Sequence, residues 1–276
     1  MPWTNKHLEW LSETKQALKT EDGINIKVFE LNHKADATIL SAWARHFRNH
    51  YCFDKEIDTL RSGTGLSREE YLNRIKFPDV TPGLGPPVRA GDFAEILVGD
   101  YLEFLLNFWV PRLHYRDKNV RNESHMGIDM MGFKIHDPNK ESINDSLAMF
   151  AVKARLTGQL SKTKPENRLQ NAIDDSVRDE VKKAESLNAI KQKLIYQGQG
   201  EDSKKVIRFQ NITDKPFQEV YGAAVVVSHE NFDVNLFSTC SAKGHPHSDQ
   251  LMLIIIRGDK LMDLVHELYR RAACEA

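Results

Sequence analysis

The order of hydrophobic and polar positions predicts strands and helices from the first third of the chain onward. Residues 24–31 partly alternate between apolar and polar side chains, which predicts a strand. Residues 35–49 have the spacing of a helix, and a second short helix is predicted near residues 67–75. The first third of the chain therefore predicts both kinds of element.

A segment rich in proline and glycine follows these elements. Residues 81–91 contain three prolines and three glycines, which interrupt helices and central strands. We interpret this segment as a boundary. It separates an N-terminal α/β portion, residues 1–85, packed on the core, from a main domain, residues 86–276.

Beyond this segment, apolar residues recur at intervals of three and four. This spacing predicts an amphipathic helix that starts near Asp92 and ends before Pro111. Its apolar positions are Phe93, Ile96, Leu97, Tyr101, Phe104, Leu105 and Phe108. Strands are predicted next at residues 112–120, 127–135 and 147–156. The turn-rich connection between the last two predicts that they are antiparallel neighbours.

A long helix and further strands complete the pattern. The helix is predicted to start near Pro165, a residue suited to a first helical turn. Its apolar positions are Leu169, Ile173, Val177, Val181, Ala184, Leu187, Ile190 and Leu194. Strands of buried type at residues 221–228 and 250–257 and a final helix follow. This order predicts an α/β (α+β) fold with a mixed central sheet flanked by helices.

The charge balance narrows the possible functions. The chain has 38 Lys and Arg against 39 Asp and Glu, a formal net charge of −1. Proteins that bind nucleic acid through a general electrostatic field are usually strongly basic. Any contact with DNA must therefore come from a local basic patch or through a partner.

Cysteine usage and the length of the apolar runs indicate the compartment. The three cysteines are far apart and odd in number, which argues against a disulfide framework or a zinc site. No apolar stretch is long enough to span a bilayer, and the N-terminus lacks the pattern of a secretory signal. The sequence therefore predicts a cytoplasmic protein with no membrane partner.

The strands predicted at 127–135 and 147–156 carry the strongest candidates for chemistry. Because strand side chains alternate between faces, Asp129 shares a face with apolar residues. A buried carboxylate is costly without a partner, so a cation, metal ion or set of donors is expected beside it. The second strand is apolar on both faces until Lys153, which either reaches solvent or pairs with a group such as Asp129.

Each of these two residues also has an ordinary interpretation. A single Asp at a strand start is more often a turn or capping residue, and a single Lys at a strand end is more often solvated. On adjacent strands, after an amphipathic helix, they resemble the PD-(D/E)xK signature of restriction-endonuclease-like nucleases, here GID at 127–129 and FAVK at 150–153. The resemblance implies that acids such as Asp129 bind Mg²⁺ and that Lys153 orients or activates water for phosphodiester hydrolysis.

A longer stretch resembles the HamA family, the nuclease subunits of the bacterial Hachiman anti-phage defence system. The similar segments are RAGDFAEILVGDYLE, GIDMMGFK and LAMFAVKARLTGQL with the helix that follows, over residues 89–194. The resemblance implies a restriction-endonuclease-like core that cuts DNA with Mg²⁺. It also implies a HamB-like superfamily 2 helicase as the partner that restrains the nuclease until DNA damage or invasion releases it.

The chain departs from the signature at Ala151. The pattern requires Glu or Asp two residues before the lysine, and a methyl group cannot bind Mg²⁺. Three explanations are open: an engineered inactive version, a naturally degenerate member, or another acid that supplies the ligand. We favour the first, because Asp129 and Lys153 are intact, and expect a catalytically inactive chain with impaired Mg²⁺ binding.

Residues outside the two strands could complete the site. Glu95 is expected to be a third member and a metal ligand, because many members of the superfamily place a Glu on the helix before the first strand; a solvated surface acid is the alternative. Glu103 and Asp100 are weaker candidates. Arg155 would contact the phosphate backbone or form a surface ion pair. Basic residues that could extend a DNA channel, or simply form solvated faces, are Lys162, Lys164, Arg168, Lys191 and Lys193.

Overall fold

Helices and strands follow one another through most of the chain. The computed structural model describes residues 2–81, 83, 85–118, 120–123, 127–158, 160, 163 and 165–276. The strands of this part are β1 (Leu11–Glu13), β2 (Leu18–Lys19), β3 (Asn25–Leu31), β4 (Met130–Lys134), β5 (Ser146–Arg155), β6 (Gln218–Ser228) and β7 (Met252–Gly258). The α-helices are α1 (Ala37–Tyr51), α2 (Ile57–Arg61), α3 (Arg68–Tyr71), α4 (Gly85–Asp100), α5 (Arg168–Tyr196), α6 (Gly200–Ile207), α7 (Val234–Ser238) and α8 (Leu261–Cys274).

The strands form one mixed sheet in the order β1-β3-β7-β6-β5-β4, with β2 also paired to β3. Strands β3, β7, β6 and β5 are parallel to their neighbours within this group, and β4 is antiparallel to β5. The predicted mixed α/β fold and the predicted antiparallel pair β4–β5 are both confirmed. Because β3 pairs with β7, both predicted portions of the chain contribute strands to the same sheet.

Helices cover both faces of the sheet. Helices α1, α4 and α8 share one hydrophobic cluster with one face, and α5, α6 and α7 share another cluster with the opposite face. Along β5, Phe150 and Val152 point to the α4 side, whereas Met149 and Ala151 point to the α5 side. Gly222 is the register partner of Phe150, and a Cβ at this position would overlap the Phe150 ring. Strand alternation thus assigns Ala151 to the layer formed by α5.

Helix α4 starts earlier than predicted. It begins at Gly85 and includes Pro86, Pro87 and Gly91, so the segment interpreted as an interruption is partly helical. Proline is tolerated in a first helical turn because the N–H groups there have no partner within the helix. The helix ends at Asp100 and continues as a π-helical turn over Tyr101–Leu105.

The strand predicted at residues 112–120 was wrong. The described residues of this segment form coil and turns, and Arg112 has a φ of 53° that turns the chain away from an extended path. The buried side chains of Leu113 and Tyr115 mimic strand alternation, but they fill two different hydrophobic clusters. The β4 edge is extended instead by a bridge between Trp109 and Phe133.

The buried side of α5 also differs from the prediction. Val177 and Val181 were assigned to the apolar stripe, but they are 36% and 84% exposed. Each step of four residues advances about 400°, so a row of such steps drifts around the helix. Ser176 and Asp179 take the buried positions instead.

Candidate active site

Asp129 lies directly before β4, beside β5. Its Oδ2 accepts a 2.8 Å hydrogen bond from the backbone N–H of Val152. Met130 pairs with Phe150, so one further step along the antiparallel ladder places Asp129 opposite Ala151. The structure therefore brings the predicted acid next to the β5 segment that carries Lys153, and it places the buried methyl group of Ala151 across from the acid.

Lys153 pairs with a residue that the sequence analysis did not select. Its Nζ lies 2.5 Å from Oδ2 of Asp175 on α5, and about a quarter of each side chain is exposed. Burial would lower the pKa of Lys153, but the hydrogen bond from its ammonium to Asp175 and the nearby Asp129 carboxylate together raise it. The lysine therefore keeps its charge between β5 and α5.

Glu95 is not the solvated surface acid of the alternative interpretation. Its side chain is 15% exposed, and its Oε2 accepts a 2.6 Å hydrogen bond from the Tyr115 hydroxyl. Burial raises the pKa of Glu95, although the Tyr115 hydrogen bond and the charges of Lys118 and Lys153 oppose that shift. His114 lies nearby, with its Nδ1 4.0 Å from Glu95 Oε2.

The negative charge of Glu95 acts on the Asp129 carboxylate. Burial and repulsion from Glu95 raise the pKa of Asp129 to about 6, against the opposing effects of the Val152 hydrogen bond and Lys153. Behind Glu95, burial raises the pKa of Asp92 to about 7, although Lys118 Nζ contacts this carboxylate at 2.7 Å. Carboxylates that interact across a partly buried site in this way are typical of functional sites.

Asp179 is a further acid at this site that sequence reasoning missed. Its side chain is 4% exposed, and its Oδ2 accepts no hydrogen bond from the described residues. Burial and repulsion from Asp129 raise the pKa of Asp179 to about 7. The only sequence feature that indicated Asp179 was its helical spacing from Ala172 and Ser176, which places it on the same face of α5 as these two residues. The predicted apolar stripe through Val177 and Val181 assigned a different face of the helix to the core. We refer to Glu95, Asp129, Lys153, Asp175 and Asp179 as the acidic site.

The chemistry of the acidic site fits Mg²⁺. Its possible ligands are carboxylate oxygens, which this ion prefers, and one buried oxygen of Asp179 accepts no hydrogen bond from any residue that the structure describes. Among the described residues, no three of these carboxylates have oxygens within 4.8 Å of one another. Mg²⁺ usually keeps several waters and uses one or two carboxylates, so this wider spacing suits an ion that is partly held through water.

A separate group meets the closer spacing. His46, His50 and Asp100 have one ligand atom each within 4.8 Å of one another. The backbone N–H of Thr4 donates to His46 Nδ1, so the His46 proton is on Nε2, which lies 3.1 Å from Asp100 Oδ1. Arg112 donates to His50 Nε2 at 2.9 Å and to Asp100 Oδ1 at 2.6 Å. Arg112 thus engages the His50 Nε2 lone pair and Asp100 Oδ1, and its guanidinium disfavours a second cation.

These residues belong to a buried charged network. Glu103 also accepts from Arg112, and His7 Nε2 lies 3.0 Å from Asp100 Oδ2. Asp100 and Glu103, the weaker metal candidates, therefore have an arginine as their cation. We refer to His7, His46, His50, Asp100, Glu103 and Arg112 as the Asp100 cluster.

The remaining basic candidates are engaged or lie outside the described part. Arg155 donates to Asn231 Oδ1 at 3.0 Å, and its Nη1 lies 3.9 Å from Glu166 Oε2. Lys162 and Lys164 lie outside the described residues. Lys193 lies 3.6 Å from Asp117. Contact between Arg155 and DNA stays a prediction.

Comparison with known proteins gives one match. The HamA family model matches residues 5–272, nearly the whole chain. No match was found among curated proteins or among solved structures. In the described part of the chain, no helix has both the length and the apolar character needed to cross a membrane.

Proposed function

Since the chain belongs to the HamA family and so has a role related to Hachiman defence, we propose that it is a divalent-metal-dependent DNA nuclease. The observation that supports this proposal is the hydrogen bond that holds Asp129 on the backbone of Val152, one residue before Lys153. Glu95 completes the arrangement from α4. An acid beside a lysine on antiparallel strands, with a glutamate on the preceding helix, suits phosphodiester hydrolysis.

Each residue has a separate role in this proposal. Asp129 and Glu95 hold Mg²⁺, with Asp129 oriented by the Val152 N–H and Glu95 by the Tyr115 hydroxyl. When bound, Mg²⁺ supplies positive charge at the attacked phosphate and favours ionisation of the attacking water. The ammonium of Lys153 stabilises negative charge on the phosphate, and Asp175 keeps that ammonium at the site.

DNA and a HamB-like superfamily 2 helicase are the proposed substrate and partner. With a net charge of −1, the chain has little general attraction for DNA. A helicase that holds DNA would deliver it to the acidic site. We expect the isolated chain to bind DNA weakly and lose this binding steeply with added salt, and the complex to bind more tightly; equal binding by both would contradict the delivery role.

Ala151 favours a second candidate function. Its side chain is a buried methyl group opposite Asp129, so β5 contributes no carboxylate to the acidic site. A ligand set of only Asp129 and Glu95 would bind Mg²⁺ weakly, and such a chain would bind DNA or scaffold the complex without cutting. Cleavage therefore requires a carboxylate from outside β4, β5 and α4.

Substitution of Asp129 tests the proposed function. In a cleavage assay with the chain, its helicase partner, DNA and Mg²⁺ or Mn²⁺, we expect Asp129→Asn to lower the rate by more than the ~10–100-fold typical of outer-shell metal partners. The matched control is Asp174→Asn, because Asp174 is an exposed acid on α5 that contacts Gln170. DNA binding without cleavage by the unsubstituted chain, under all metal conditions, would favour the second function instead.

A further inference from the structure

The carboxylate of Asp179 is buried without the partners that such a group needs. Its Oδ2 accepts no hydrogen bond from the described residues, and the cation near its other oxygen, Lys182 Nζ, is 3.9 Å from Oδ1. Buried polar atoms in folded proteins are nearly always hydrogen-bonded, since an unpartnered one destabilises the fold. An orphaned carboxylate oxygen therefore indicates a missing electrophilic partner.

The position of Asp179 along α5 identifies where that partner would lie. One turn earlier, about 6 Å along the helix axis, Asp175 pairs with Lys153. Two turns later, the Ser186 hydroxyl accepts from the backbone N–H of Ile128, next to Asp129. Asp179 thus occupies the part of α5 between the contact to Lys153 and the contact to the Asp129 segment.

The acid that the PD-(D/E)xK signature requires is missing on the side of the sheet that α5 covers. Ala151 faces the α5 side of the sheet and supplies no oxygen there. From this placement we infer that Asp179 takes over the role of the carboxylate missing at Ala151 and is a ligand of the divalent cation at the acidic site. This inference rests on the proposed function. It makes a metal site of three acids from three elements, Glu95 on α4, Asp129 before β4 and Asp179 on α5. At least one of them binds the ion through water, because no three of these carboxylates in the described residues have oxygens within 4.8 Å of one another.

Asp175 is less suited to this role, although it is one turn away on the same helix. Both of its oxygens already contact cations, Lys153 at 2.5 Å and Arg178 at 2.9 Å. Asp179, in contrast, has one oxygen that accepts no hydrogen bond from the described residues, and burial and then repulsion from Asp129 raise its pKa to about 7. A divalent cation between them would remove this repulsion, directly or through a bound water.

Calorimetric titration of the full chain with MnCl₂ tests the inference without measuring cleavage. We expect Asp179→Asn to weaken Mn²⁺ binding by about tenfold or more, while Asp174→Asn binds like the unsubstituted chain. The melting temperature of metal-free Asp179→Asn should be equal or higher, because an amide removes a buried repulsion. If the amide prevents folding, Asp179→Ser provides the same comparison.

A rescue variant separates a ligand from a merely structural acid. The double variant Asp179→Asn with Ala151→Glu lacks the Asp179 carboxylate but gains a carboxylate on β5, so its Mn²⁺ affinity should recover. Unchanged Mn²⁺ binding in Asp179→Asn would overturn the inference and leave the proposed function intact, provided that Asp129→Asn loses binding. If the unsubstituted chain binds no Mn²⁺, both the inference and the proposed function are overturned.

Discussion

Asp100 and Asp129 are carboxylates largely removed from solvent, yet their surroundings differ in the source of positive charge. Burial alone would raise the pKa of Asp100, but His46 and Arg112 hold it well below the usual range. Burial and Glu95 raise the pKa of Asp129 to about 6, because the Val152 N–H and Lys153 compensate only partly. The two regions therefore place the same side chain in opposite electrostatic environments.

The difference teaches how to separate a structural network from a binding site. In the Asp100 cluster, the chain itself supplies the cation, and Arg112 contacts both carboxylates and a histidine. In the acidic site, four carboxylates share one lysine, and Asp179 Oδ2 accepts no hydrogen bond from the described residues. The corresponding oxygen in the first region, Asp100 Oδ2, has His7 Nε2 at 3.0 Å. The Asp100 cluster is recognised by the close spacing of its possible ligands. The acidic site is recognised by negative charge that the cations of the chain do not compensate.

The largest expected effect comes from removing the internal cation of the Asp100 cluster. Arg112→Met keeps much of the side-chain length but leaves Asp100 and Glu103 without their arginine. Loss of one partner from a buried ion pair typically costs about 3–5 kcal/mol, and we expect a decrease of this size in the free energy of unfolding, measured by urea denaturation. The exposed pair Lys204–Glu201 provides the control, since Lys204→Met should have little effect. Stability equal to that of the unsubstituted chain would mean that the Asp100 cluster does not depend on Arg112.

A smaller effect is expected from adding a carboxylate to the acidic site. Ala151→Glu places the acid of the signature opposite Asp129, so Mn²⁺ affinity measured by calorimetry should increase by about tenfold, equivalent to ~1.4 kcal/mol. The metal-free variant should be less stable, because another charge is buried among like charges. Ala151→Gln has the same size without the charge and should show no gain. A gain with Gln, or none with Glu, would contradict a metal site at this position.

The smallest effect concerns pH. Burial, and then the charge of Arg112, lower the pKa of His50 well below its usual value. Below pH 6.5, the unfolded chain therefore takes up a proton at His50 that the folded protein does not, and stability falls as the pH falls. His50→Gln, whose oxygen can still accept from Arg112, should make this dependence shallower by at most ~1.4 kcal/mol per pH unit.

Urea denaturation between pH 7 and pH 5 measures this difference, with the exposed His136→Gln as the control. The buried carboxylates with a raised pKa, Asp129 and Asp179, act in the opposite direction, since their ionisation destabilises the fold as the pH rises. They are unchanged in His50→Gln, so the comparison between variants isolates the histidine. Identical slopes would show that His50 is not held neutral by its surroundings.

Much of the architecture could be predicted from periodicity. The antiparallel pair around Asp129 and Lys153 followed from apolar alternation and a turn-rich connection, because both are local properties of the sequence. The strand predicted at residues 112–120 was wrong because buried and exposed side chains also alternate in a loop whose side chains enter two hydrophobic clusters. The periodic pattern of apolar residues indicates which side chains are buried. It corresponds to a strand only where the backbone can pair with a neighbouring strand.

The acidic site was only partly predictable. The sequence pointed to Glu95, Asp129 and Lys153 because each has a position within a known order of elements. Asp175 and Asp179 could not be found in this way, since their importance depends on the rotation of α5 about its axis. A strict repeat of four assumes a rotation of about 90° per residue, whereas an α-helix turns about 100°, and this difference decides whether Val181 or Asp179 faces the sheet. The packing of α5 against β5 and β6 fixes its rotation.

The parallel pairing of β3 with β7 has a consequence for how the chain folds. Glu30 and Arg257, partners across these strands, are 227 residues apart. Strands β4, β5 and β6 and helix α5 lie within residues 130–228 and can assemble from nearer neighbours. Long loops close slowly, so β3 should join late. A ribosome that has not yet released β7 therefore holds a chain in which β4, β5, β6 and α5 can already assemble, while β3 still lacks its parallel partner.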